Sequence, residues 1–168
     1  MFEFKDIPRL SDGALELALV KQMPAKYELF KVPAYYFKIL KIDTKEEVGS
    51  IEIRIGNNEY TFYAGHIGYE IYPPYQGNYY AAAACELVKE VALMHRIDKL
   101  YICCLPTNIP SNKVILRLGG KFFGTYLVPF YHEMYYLGID KVNIYQWDIE
   151  KESGKTREKL GWFQRIGL

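Results

Sequence analysis

The sequence predicts an α+β (mixed α/β) domain, with antiparallel strands in its first half and a strand-helix-strand unit in its second. Residues 48 to 55 alternate as a half-buried strand does, with Ile51, Ile53 and Ile55 on one face and Glu52 and Arg54 on the other. From Tyr79 to Arg96 the apolar positions recur at helical spacing, Ala83, Leu87, Val91 and Met94 against Glu86, Lys89 and Glu90. The 168 residues are half hydrophobic and 24% charged, enough for one sizeable core and inconsistent with extended disorder.

Taken in order, Phe2 and Phe4 suggest a short edge strand. Ser11-Asp12 offers a helix N-cap before the apolar run Ala14 to Val20, and Pro24 stops that helix. Residues 34 to 42 are β-branched and aromatic enough for a strand. After the strand at 48 to 55, Gly56-Asn57-Asn58 reads as a turn, with Glu59 to Tyr63 pairing back as a hairpin and Gly65 to Tyr72 as a further strand. The helix from Tyr79 to Arg96 leads to an apolar strand at 99 to 105. Ser111 can cap a short helix carrying Val114, Ile115 and Leu118, which closes on Gly119-Gly120. Residues 121 to 128 and 141 to 149 read as the last strands, with Tyr131 to Leu137 between them as strand or loop. The unit at 65 to 105 implies locally parallel pairing inside a mixed sheet. One domain spans residues 1 to 150. The tail from Lys151 to Leu168 stands apart as a basic segment, helical over its first part or docked through Trp162, Phe163, Ile166 and Leu168.

Charge and composition narrow the function. Lysine plus arginine is 21 against 20 acidic residues, so nothing announces a nucleic-acid partner. The longest uncharged run, Ile71 to Cys85, is broken by Pro73, Pro74 and Gly77 and cannot span a bilayer. The N-terminus shows no secretion signal, and three cysteines, an odd and sparse set, fit a reducing cytoplasm. Cys103 and Cys104 read as packing residues of a buried strand. His66, His95 and His132 are scattered, with no zinc spacing. Sixteen tyrosines also prompt a tyrosine-faced RNA-binding sheet, which the near-neutral charge argues against.

The informative stretch runs from Gly68 to Ala84: a strand ends, a glycine-containing turn follows, and an alanine-rich helix begins. Such a turn leaves backbone N–H groups unpaired at the positive end of a helix, which suits a diphosphate. An ordinary strand-to-helix turn explains the same residues. Some thirty residues on, Pro106-Thr107-Asn108 and Ser111 open a second short helix that closes on glycine.

Together, Ile67-Gly68-Tyr69-Glu70-Ile71, Tyr75-Gln76-Gly77-Asn78-Tyr79-Tyr80-Ala81, and Asn108-x-x-Ser111 with Leu118-Gly119 resemble the acetyl-CoA-binding core of the GNAT superfamily of N-acetyltransferases. The resemblance covers roughly residues 34 to 149, with the first helix fitting the family's N-terminal region. It implies a central mixed, mostly antiparallel sheet of about six to seven strands flanked by helices. It also implies an acetyl-CoA-dependent transfer to a primary amine, by direct attack in a ternary complex. On this resemblance Gln76, Gly77, Asn78, Tyr79, Tyr80 and Ala81 bind the pyrophosphate. Ile71 contacts pantetheine or the acetyl carbonyl through its backbone, and Asn108 and Ser111 line the far wall.

Two positions depart from the family pattern: its second turn glycine is Tyr79 here, and its helix tyrosine, the acid to the leaving thiolate, is Ile115. For the base, a regular strand puts His66, Gly68 and Glu70 on one face. His66 stands first by its ordinary pKa, Glu70 second and a water chain third. Tyr126, Tyr131, Tyr135 and Tyr136, with His132 and Glu133, are candidates for an acceptor pocket as well as for core and sheet surface. The acceptor, a small-molecule or protein amine, is not readable, and a homodimer is a further expectation. A non-catalytic CoA-binding or protein-interaction module on the same fold is the alternative reading.

Overall fold

The computed structural model describes residues 1–149; the expected basic tail lies outside them. The elements in chain order are β1 (Leu10–Ser11), β2 (Leu15–Met23), β3 (Ala34–Lys41), β4 (Glu47–Arg54), α1 (Glu59–Ala64), β5 (Ile67–Ile71), α2 (Tyr80–Met94), β6 (Lys99–Cys104), α3 (Ile109–Arg117), β7 (Lys121–Leu127), α4 (Glu133–Tyr136) and β8 (Lys141–Asp148). Short 3-10 turns lie at Tyr27–Leu29 and Pro73–Tyr75. The strands form two antiparallel sheets, β1-β2-β3-β4-β5 and β6-β8-β7.

The alternation read from the sequence decides which face of the larger sheet is buried. Leu15, Leu17, Tyr35, Phe37, Ile39, Ile51, Ile53 and Ile67 all point to one side. There they meet Ala84, Cys85, Val88, Val91 and Ala92 of α2. Leu100, Ile102, Tyr145 and Trp147 of the second sheet close the same core. Burying each large aliphatic side chain in this set stabilises the fold by about 1.5–3 kcal/mol. The buried stripe of α2 sits about one position away from the expected one: Leu87 and Met94 are only half-buried, while Ala84, Cys85 and Val88 face the sheet. Small residues there let the helix axis lie close to the strands. No helix among the described residues is long and apolar enough to cross a membrane.

Four local expectations are corrected. The run 14 to 20 extends from Leu15 onward as part of the strand β2 and is not a helix. Asp12 Oδ1 accepts from the N–H groups of Ala14 (2.9 Å) and Leu15 (2.8 Å), which turns the chain from β1 into β2 instead of capping a helix. The Phe2–Phe4 segment is not a strand; Phe4 packs edge-on to Tyr35 at 5.2 Å and Phe2 stacks on His95 at 5.0 Å. Residues 59 to 63 belong to α1. Asn58 Oδ1 accepts from Thr61 N–H (3.1 Å) and Thr61 Oγ1 from Asn58 N–H (3.0 Å), a reciprocal cap that outweighs their strand-like composition. Residues 133 to 136, expected as strand or loop, form α4.

The strand-helix-strand unit folds as expected in order but not in pairing. β5 and β6 belong to different sheets and meet where His66 N–H donates to the Tyr101 carbonyl at 2.7 Å. Gly65 makes that contact possible: it has φ 79°, and a β-carbon there would stand 3.1 Å from Cys103 N. With the two-residue β1 counted, the sheets hold five and three strands, slightly more than the sequence implied.

Candidate functional site

The gap between β5 and β6 gathers most of the residues singled out above. At the two ends of β5, Arg54 N–H of β4 donates to the His66 carbonyl (2.8 Å) and Tyr72 N–H to the Val48 carbonyl of β4 (2.9 Å). This frames an antiparallel ladder in which Gly68 and Glu70 bond to β4, while the main-chain groups of Tyr69 and Ile71 face the open edge.

Beyond Ile71 the chain passes the 3-10 turn and enters the glycine turn. Gln76 Nε2 donates back to the Ile71 carbonyl at 3.0 Å, and Asn78 Nδ2 to the Tyr75 carbonyl at 3.0 Å, so both amides brace the turn. Gly77 has φ 83° with open space around its α-carbon, so glycine is required there by conformation and not by room. Tyr79 also adopts the left-handed region, φ 61°, as the residue immediately before α2. The first helical bond runs from Ala83 N–H to the Tyr79 carbonyl (3.1 Å), which leaves the N–H groups of Tyr80, Ala81 and Ala82 ahead of it without helical acceptors. No side chain caps α2 and no acidic residue occupies its first turn. Such an end favours an anion.

α3 closes the other side. Its cap is Asn108, not Ser111: Asn108 Oδ1 accepts from Ser111 N–H at 3.2 Å. The Ser111 hydroxyl is thereby released toward β5, where it accepts from the Tyr69 phenol at 3.2 Å. Burial pushes the Tyr69 pKa up to about 12. Ile115 is 1% exposed and part of the core, so no side chain at that position reaches the gap. Sequence reasoning missed the Tyr69–Ser111 contact, although both residues stand in the motifs it quoted. The thiols nearby are protonated: burial pushes Cys103 well above the ordinary range and Cys104 up to about 11, consistent with packing roles.

His66 and Glu70 differ in exposure, the first buried and the second open to solvent. His66 lies just ahead of β5, is 0% exposed, and has both ring nitrogens engaged. Nδ1 accepts from Tyr101 N–H (2.8 Å), so Nε2 carries the proton and donates to the Gly56 carbonyl (3.0 Å) and Asn57 Oδ1 (2.9 Å). Burial draws its pKa down to about 4. That arrangement leaves His66 no lone pair for a substrate proton.

Glu70 is exposed on the polar face of the larger sheet, with Gly68. There an open groove of about 520 Å³ runs past Lys21, Tyr36, Lys38, Ser50, Glu52 and Glu70. Glu52 is ion-paired with Arg54, whose Nη1 also donates to the carbonyls of Ala64 (3.0 Å) and Gly65 (2.9 Å). Gly68 leaves them room, since a β-carbon there would stand 2.8 Å from Glu52 Oε1. Arg54 also lies over the ring of Tyr60 at 5.8 Å, and Glu133 Oε2 accepts from the Tyr60 hydroxyl (3.1 Å) while Glu133 Oε1 accepts from Lys31 Nζ (2.7 Å). His132 caps α4 and stacks on Tyr60 at 5.2 Å. Tyr131, Tyr135 and Tyr136 are exposed beside it, whereas Tyr126 packs against Phe62 at 5.2 Å. Apart from Glu70, already a base candidate, the sequence signal for this groove is the polar half of the β4 alternation.

A family model described as the acetyltransferase (GNAT) domain matches residues 9–121. Among solved structures, the ribosomal-protein-S5-alanine acetyltransferase of Vibrio fischeri superposes with TM-score 0.60 at 14% identity, over 86% of this chain and 98% of that one. An acetyltransferase of Agrobacterium tumefaciens str. C58 gives TM-score 0.60 at 18% identity, over 88% and 98%. The Microcin C7 self immunity acetyltransferase MccE, solved in complex with acetyl-CoA and AMP, gives TM-score 0.53 at 26% identity, over 69% of this chain and 61% of that one. No curated protein matches the chain by sequence.

Proposed function

This chain belongs to the GNAT family of acetyltransferases, and from that premise we propose that it transfers the acetyl group of acetyl-CoA to a primary amine by direct attack in a ternary complex. The observation that carries this reading is the turn from Gln76 to Ala81, braced onto the Ile71 carbonyl at the edge of β5 and leading into the N–H groups of Tyr80, Ala81 and Ala82, which have no helical acceptors. The similarity to MccE, whose structure holds acetyl-CoA, supports that choice of cosubstrate. In this reading Gln76, Gly77, Asn78, Tyr79, Tyr80 and Ala81 hold the pyrophosphate. The main chain of Ile71 meets the pantetheine arm and supplies the N–H that steadies the oxyanion, and Asn108 and Ser111 form the far wall.

In this reading the acid and the base come from the same neighbourhood. With Ile115 in the core, the hydroxyl pair Tyr69–Ser111 is placed to protonate the departing thiolate. With His66 enclosed, Glu70, on the solvent side of β5 next to Ile71, takes the amine proton directly or through water. His66 fastens the two sheets. The groove past Lys38, Ser50 and Glu70 receives the acceptor and is open enough for an amine carried on a larger molecule.

A thermal shift with acetyl-CoA and CoA tests the reading first. A ligand confined to the folded state adds about 2.7 kcal/mol at a hundredfold excess over its Kd, a shift of several degrees. No shift with either ligand removes the basis of the proposal. Binding without thiol release across a broad amine panel would favour a CoA-binding module instead, a reading motivated by the burial of Ile115 and His66.

A further inference from the structure

We infer that Arg117, held over the ring of Tyr79, is the cationic contact for a phosphate of the cofactor at the turn before α2; the inference rests on the acetyl-CoA reading above. Arg117 is in the last turn of α3, and its guanidinium carbon lies 4.3 Å from the centroid of the Tyr79 ring. Tyr79 in turn occupies φ 61°, a conformation that disfavours any residue with a β-carbon. A bulky residue kept in a strained position beside a binding turn points to work done by its side chain. Here the ring places a cation next to the turn.

The electrostatics point the same way. The N-terminus of α2 is a positive dipole end with no acidic residue in its first turn. Among the described residues, no carboxylate lies within ion-pair distance of Arg117. Two positive features are thus set side by side with no carboxylate of the described residues paired to the guanidinium. A phosphate removes that repulsion, and the planar donor fork of arginine suits phosphate oxygens better than an ammonium does. The ligand chemistry is a phosphate mono- or diester of CoA, either its pyrophosphate or its 3′-phosphate.

Titration calorimetry with CoA and dephospho-CoA tests this on the wild type, Arg117→Ala, Arg117→Glu, Tyr79→Phe and Tyr79→Leu, with circular dichroism to verify folding. Arg117→Ala is expected to weaken CoA binding about tenfold or more, the loss of one charge-assisted contact, and Arg117→Glu to weaken it further. Tyr79→Leu, which loses the ring, weakens binding in the direction of Arg117→Ala and by more than Tyr79→Phe, which keeps the ring under Arg117. In turnover, Arg117→Ala raises KM for acetyl-CoA and leaves kcat unchanged. If Arg117→Ala costs nothing further on dephospho-CoA, the contact is to the 3′-phosphate; an equal loss on both ligands assigns it to the pyrophosphate. A folded Arg117→Ala that binds both ligands like the wild type overturns the inference alone. A wild type that binds neither overturns the acetyl-CoA reading and this inference together.

Discussion

Because Nδ1 of His66 already accepts from Tyr101, a second ring proton can enter only by breaking one of the two bonds that join β6 to the entrance of β5. The folded pKa of about 4 lies below the ordinary 6.5. The unfolded chain therefore binds the proton more readily between those values, and stability falls as pH drops from 6.5 toward 4. His66 alone is expected to make the protein about 2 kcal/mol less stable at pH 5 than at pH 7.5. Urea unfolding at the two pH values measures this, and His66→Gln should flatten the slope. Burial lowers His95 and His132 as well, so their contributions carry the same sign. In the gap, Tyr69→Phe removes the donor to Ser111 without removing the ring. It is expected to lower kcat by about 10²-fold, within the range of acid catalysis, with KM for acetyl-CoA unchanged in steady-state thiol release. Both residues were legible in the sequence as chemical types. Their roles were not, because a histidine before a strand reads alike whether its ring meets solvent or another backbone.

Among elements, the β4–β5 pair is the least tolerant of change. Gly49 lies against Ile71, and a β-carbon there would fall 2.1 Å from the Glu70 carbonyl oxygen. Gly49→Ala must push the strands apart. A loss of about 1–3 kcal/mol is expected by thermal melting, together with weaker acetyl-CoA binding, because Ile71 moves with β5. The α1 cap is a milder case: Asn58→Ala leaves Thr61 N–H unpaired and should cost about 1 kcal/mol, read as a lower Tm with turnover retained. The sequence 58 to 61, Asn-Glu-Tyr-Thr, contained this cap signal. It was outweighed by the aromatic and β-branched run that follows, which fits a strand equally well at so short a length. β2 is the converse case. Leu15, Leu17, Leu19 and Val20 satisfy both helical and alternating patterns, and the ladder with β3 selects the strand.

At the scale of the whole molecule, the two sheets and α2 share one core while β5 and β6 share no ladder, so a ligand in the gap would bridge both sheets. Acetyl-CoA is therefore expected to slow amide exchange at Tyr80 to Ala82, and at Tyr69 and Ile71 on the β5 edge. Hydrogen exchange by mass spectrometry with and without ligand reads this directly, and unchanged protection at those amides would count against the gap as the cofactor site. The sequence alone determined the α+β class, β3, β4 and α2, and the order of the two motifs. Those features are local: a long run of period 2 or 3.6, or glycine and asparagine at fixed offsets around a turn, restricts the backbone before any distant contact forms. Only the tertiary structure decided that residues 14 to 20 extend, that His66 is enclosed, that Ser111 faces Tyr69 and that Arg117 lies over Tyr79. In each of these the partner is far away in sequence, and the competing local states differ by less than the free energy of the long-range pairing that selects one of them.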